Sequence, residues 1–126
     1  MKGIIGDVCV FASPYYDTVR RRNDFKARPS LIIGVADLGD YNILPISKVT
    51  DRRYLDADYD IPVFPSNYPN LNLNDPSYVR VHKQTVFHDR ALHQVLSNMK
   101  TSYPELFLSV IVKLEEYSNK LIENSL

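Results

Sequence analysis

The sequence predicts a mainly β domain that ends in one long helix. Three observations carry this. Short apolar runs rich in Val, Ile and aromatic residues recur between turn residues over the first 88 positions, which is the punctuation of strands. Pro62, Pro65, Pro69 and Pro76 make the stretch between the strand-like runs mostly loop. Sustained spacing of apolar residues by three and four begins only at Tyr103. A length of 126 residues allows one domain, spanning 1–126, and leaves no room for two independently folding cores.

Taken in order, Gly6 to Ala12 reads as a first strand closed by Ser13-Pro14. A polar loop is expected over 13–28, where Arg20, Arg21, Arg22, Lys26 and Arg28 face only Asp17 and Asp24. Pro29 then opens Ser30-Leu31-Ile32-Ile33-Gly34-Val35, a continuous apolar run suited to a strand buried on both faces. Asp37-Leu38-Gly39-Asp40 turns the chain, and Tyr41 to Ile46 returns as the partner of that strand in a hairpin. Between 51 and 77 the prolines leave only Asp60 to Phe64 as a short edge strand. Tyr78 to His82 alternates like a half-buried strand, and Thr85 to His88 adds a short extended piece. For 89–100 the spacing of Leu92, Val95, Leu96 and Met99 fits a short helix, and a strand over Leu92 to Leu96 fits as well. Ser102-Tyr103-Pro104-Glu105 matches a capping box with proline in the first turn. Tyr103, Phe107, Val110, Leu114, Tyr117 and Leu121 then form an amphipathic stripe, widened by Leu106, Leu108, Ile111 and Val112. That width exceeds what one small core needs and points to a second contact surface, with a homodimer as the natural form.

Composition limits function. Fifteen basic residues balance fifteen acidic ones, so the molecule lacks the overall positive field of a protein that coats nucleic acid, and the 13–28 segment is its main basic concentration. A lone cysteine, Cys9, permits no intrachain disulfide and suits a reducing compartment; the plain reading is a buried thiol in a strand. The apolar run at the start is too short for a signal peptide, and Leu106 to Val112 is too short for a membrane span, so a cytoplasmic protein without membrane partners is expected. His82, His88 and His93 are not paired at metal-ligand spacing, and Asp51, Asp56, Asp58 and Asp60 lack the spacing of a calcium loop, so neither a metal nor another cofactor is expected. Glycine-rich dinucleotide and phosphate loops and the nucleophile elbow are absent too.

The informative pattern lies in the first 50 residues: Gly6-Asp7-Val8, a basic segment, Lys26-Ala27-Arg28-Pro29-Ser30-Leu31-Ile32-Ile33, then Leu44-Pro45-Ile46-Ser47. In this order and at these separations the blocks resemble the MazF/PemK family of toxin endoribonucleases, and Gln84-Thr85-Val86 is similar, more loosely, to a later block of that family. The resemblance implies a small SH3-like antiparallel barrel, MazF/CcdB-like, with a C-terminal helix. It implies a homodimer that cuts single-stranded RNA without a metal and is neutralised by a cognate antitoxin protein. Arg28 falls on the arginine before the strand proline, and Ser47 falls two positions after the next strand's proline, where the family more often has threonine. The loop's Arg20, Arg21, Arg22 and Lys26 would then contact phosphates, with Phe25, Tyr15 or Tyr16 stacking on bases. Gyrase-poison toxins share this fold and act on a protein target through the C-terminal helix; that reading, or a barrel that only binds RNA or an antitoxin, is the alternative.

The chemistry asks for such residues independently. Cleaving RNA through its own 2′-hydroxyl needs charge stabilisation at a pentacoordinate phosphate and a proton for the leaving 5′-oxygen. The guanidinium of Arg28 offers a fixed fork of donors for the first task, and the Ser47 hydroxyl can hold a non-bridging oxygen. No serine nucleophile is required. His82 and His88 are candidates for the general base. Against these roles stand plain structural ones: an ion pair of Arg28 with Asp7 or Asp24, and a turn hydroxyl for Ser47.

Overall fold

A computed structural model describes residues 2–126. The chain builds seven strands, β1 (Asp7–Asp17), β2 (Arg22–Asp37), β3 (Asp40–Ser47), β4 (Asp60–Pro62), β5 (Tyr78–Arg80), β6 (Thr85–His88) and β7 (Leu92–Asn98). Two helices follow, α1 (Met99–Ser102) and α2 (Pro104–Ser125). All pairings are antiparallel, in the order β4-β5-β3-β2-β1-β7, with β6 also on β3. The outer edge of β3 is thus shared: β6 takes Asp40 to Ile43 and β5 takes Ile46 and Ser47. The result is a curled half-barrel sheet with a C-terminal helix.

Alternation along the strands separates two cores. Val8, Leu31, Leu44 and Ile46 point to the face covered by α2, where Leu106, Phe107 and Val110 meet them. Their sequence neighbours Cys9, Ile32 and Ile43 point to the other face and join Phe11, Tyr41 and Leu92. Each fully buried side chain of this size contributes about 1.5–3 kcal/mol by leaving water. The start of the chain is tied over the smaller core. Gly3 N–H donates to the Tyr41 hydroxyl (2.8 Å), which donates to Asp89 Oδ1 (2.6 Å), and the backbone N–H of Lys2 donates to the same oxygen (2.9 Å).

Several sequence expectations change. The 13–28 segment is not a loop: β1 and β2 continue as an antiparallel ribbon, Val8 opposite Leu31 out to Asp17 opposite Arg22, and the turn closes with Arg21 at φ 54°. Its polarity reflects exposure, since this end of the ribbon leaves the core and its backbone needs only its own ladder. Ser30 to Ile32 are buried as expected of a two-faced strand, whereas Ile33 and Gly34 are half-buried and Val35 is exposed. The strand expected at Tyr78 to His82 stops at Arg80, and Val81 to Lys83 form a 3-10 turn. Residues 89–100 hold both readings in succession, strand β7 and then helix α1. The capping box does not form: Ser102 closes α1, and Tyr103 caps α2 without a side-chain bond. Cys9 is the buried strand thiol, pushed up to about 12 by burial and by the neighbouring Asp7.

Candidate functional site

The two residues of the central chemical reading are brought to one place by a break in the sheet. β2 and β3 pair through Ile32–Ile43, Leu31–Leu44 and Ser30–Pro45, and the ladder ends there. One residue on, Pro29 has no N–H to pass across, and a proline also holds its predecessor, Arg28, in extended backbone. β3 meanwhile leaves to pair with β5, Ile46 with Val79 and Ser47 with Tyr78. Continued past the break, the register sets Arg28 across from Ser47, and alternation puts both on the face of Ile32 and Ile43. The gap between the parted strands is a hollow of about 290 Å³ lined by Arg28 and Ser47 with Ser13, Ser30, Thr85 and Phe87.

A second hollow of about 260 Å³ lies against the first. Arg28, Pro29, Ile46 and Ser47 form the wall between them, and Lys26, Lys48, Asn74 and the carboxylate of Asp75 line the far side. Three cations therefore converge on the pair of hollows, with Lys48 Nζ 3.5 Å from Asp75. Arg28 is exposed, and among the described residues no carboxylate lies within 4 Å of it; Asp7 is instead hydrogen-bonded to the Ile4 N–H and to Asn98, and Asp24 is paired with Arg20. The structural roles weighed for Arg28 are thus filled by other groups. Its donors stay available for an anion.

The remaining predicted residues divide. Lys26 joins the site, because Ser13 opposite Lys26 and Phe11 opposite Arg28 put all four on one face of the ribbon. Arg21 and Arg22 lie exposed at the ribbon tip. Arg20 folds back on its own strand ends, 3.8 Å from Asp17 and 3.9 Å from Asp24, and serves to close the turn. Tyr15, Tyr16 and Phe25 are exposed on the ribbon, with Tyr15 on the Lys26 face and Tyr16 and Phe25 on the reverse. The histidines proposed as bases line neither of the two hollows. His88 Nδ1 accepts from the Arg90 N–H (3.0 Å), capping the short turn before β7, and its ring packs on Gly39. His82 is mostly buried, with Nδ1 3.9 Å from Asp60 Oδ1. His93 is exposed on β7.

Ser13 and Lys48 reach the site without having been singled out in the sequence; Lys48 follows Ser47 directly, a visible cue, and Ser13 is found only through strand register. Thr85, noted in the sequence only as part of the looser Gln84-Thr85-Val86 block, is brought to the site by its pairing with Ile43. Among the described residues no group of three or more His, Cys, Asp or Glu side chains is placed to hold a metal ion. No helix is long and apolar enough to cross a membrane. No protein-family model matches the chain, and no curated protein matches it.

Proposed function

We propose that this protein is a toxin-type endoribonuclease of the MazF/PemK kind that cleaves single-stranded RNA without using a metal. The observation that carries the proposal is the meeting of Arg28 and Ser47, on successive strands, at one hollow where Arg28 has no carboxylate partner among the described residues. A phosphodiester seated there has the Arg28 fork for the charge that builds on its oxygens and the Ser47 hydroxyl for a non-bridging oxygen. The attacking 2′-hydroxyl belongs to the RNA itself. Lys26 on the adjoining wall, and Arg21 and Arg22 at the ribbon tip, hold the flanking phosphates, while Lys48 is paired with Asp75 at 3.5 Å. An acidic antitoxin segment laid over the same cations would block the site, and the active form is a cytoplasmic homodimer. The test is incubation of the purified protein with a long RNA of defined sequence, with and without EDTA, and mass analysis of the ends. Discrete cuts that survive EDTA and leave a 2′,3′-cyclic phosphate and a 5′-hydroxyl support the proposal; intact RNA overturns it.

One observation favours a second reading, a barrel that acts by binding a protein through its C-terminal helix. Leu108 and Val112 of α2 are exposed and, with Ile61, line an apolar depression of about 490 Å³. On the ribonuclease reading this face is where two copies meet.

A further inference from the structure

Thr85, at the start of β6, borders both the Arg28 hollow and a third, separate hollow of about 350 Å³ between α2 and the 82–86 segment. Its chemistry differs from that of the first two. No lysine, arginine or carboxylate lines it; an amide from Gln84, the hydroxyls of Thr85 and Ser118, and the rings of His82 and Tyr117 do. Gln84 and Thr85 are exposed, and no hydrogen bond within the chain engages either side chain among the described residues. The Tyr117 ring is fixed edge-on against Tyr59, with centroids 5.1 Å apart at 78°. His82 is held in turn between Tyr59 and Tyr117, both at 6.5 Å.

A wall of this kind is unsuited to a phosphate, which needs cations or a row of N–H donors, and suited to an uncharged flat ring that stacks and hydrogen-bonds along its edge. From this we infer that the third hollow is a nucleobase subsite: a strand whose phosphate rests on Arg28 passes over Thr85 and sets a neighbouring base against Tyr117, with Gln84 and Ser118 at its edge. The inference rests on the RNA reading of the Arg28 site and extends it by giving α2 a part in substrate recognition. A side-chain amide offers a donor and an acceptor together, so Gln84 is placed to discriminate between bases.

The test measures binding, apart from activity. Oligoribonucleotides matching a mapped cut site, with a 2′-deoxy sugar at the cut position to prevent cleavage, are lengthened one nucleotide at a time on each side. Affinity is measured for the wild type, for Gln84→Ala, for Ser118→Trp, which fills the hollow from a half-buried helix position and whose melting temperature is checked first, and for Arg28→Ala. One added base on one side is expected to tighten wild-type binding roughly tenfold, in keeping with the strength of base–aromatic stacking. The gain should vanish when that nucleotide is abasic and in Ser118→Trp, and shrink in Gln84→Ala. A gain that persists with the abasic nucleotide, or equally in Ser118→Trp and Gln84→Ala, overturns the subsite while leaving the RNA reading intact. A wild type that binds no RNA, or binds it independently of Arg28, overturns both.

Discussion

Arg28 and Ser47 share one hollow but supply different things, so their substitutions should differ in size. The serine offers one neutral hydrogen bond, worth about 0.5–1.5 kcal/mol, so Ser47→Ala is expected to slow cleavage by about tenfold at most. Ser47→Thr keeps the hydroxyl and should cleave at close to the wild-type rate. Single-turnover cleavage of one defined RNA checks both, and a loss in Ser47→Thr as large as in Ser47→Ala would show that the hydroxyl is not what the site uses. Asp89 makes a separate residue-level case. The Tyr41 hydroxyl, and then the Lys2 N–H, hold its carboxyl below the usual carboxylate range. A carboxyl depressed on folding stabilises at pH values above its ordinary pKa and loses that contribution as the pH falls through its folded value. Asp89→Asn should therefore melt below the wild type at neutral pH, and the gap should close as the pH drops below about 4. A gap that is constant with pH would mean that the charge of Asp89 is not involved.

At the scale of elements, the β1–β2 ribbon concentrates positive charge on a paired arm instead of an irregular loop. Its ladder runs unbroken to the Asp17–Arg22 pair, so the backbone sets the order of its cations outward from the Arg28 hollow. Arg21, Arg22 and Lys26 should each release a counterion when a phosphate strand lies along the arm, and their joint replacement by alanine should flatten the salt dependence of RNA binding by up to about three in log–log slope. Arg20→Ala is expected to affect the turn more than the slope, because its guanidinium is already near Asp17 and Asp24. A triple variant with the wild-type slope would return the arm to a merely structural role.

Over the whole molecule, α2 leaves apolar side chains uncovered by its own sheet, Leu108 and Val112 along its first half and Leu121 and Ile122 near its end. Sedimentation at micromolar concentration should find a two-chain species, and a single-chain species alone would count against the homodimer. Much of this architecture was legible in the sequence. The hairpin about Gly39 and the terminal helix follow from local turn chemistry and periodicity, whereas Arg28 and Ser47 were singled out by the family resemblance of the blocks around Pro29 and Pro45. The ribbon was not legible, because polar residues in an exposed ladder carry no burial signal. Nor was the missing cap of α2, since Ser102 is already used in closing α1. The histidines could not be placed either: their roles depend on Gly39 and Asp60, contacts that sequence spacing does not encode.

The role proposed for Arg28, stabilising charge that develops at a scissile phosphate, is measured directly by single-turnover cleavage with Arg28→Ala. The variant is expected to cleave at a rate lower by roughly 10² or more, with RNA binding reduced far less and with melting temperature and oligomeric state unchanged. An Arg28→Ala variant that cuts the same RNA at the wild-type rate would contradict it.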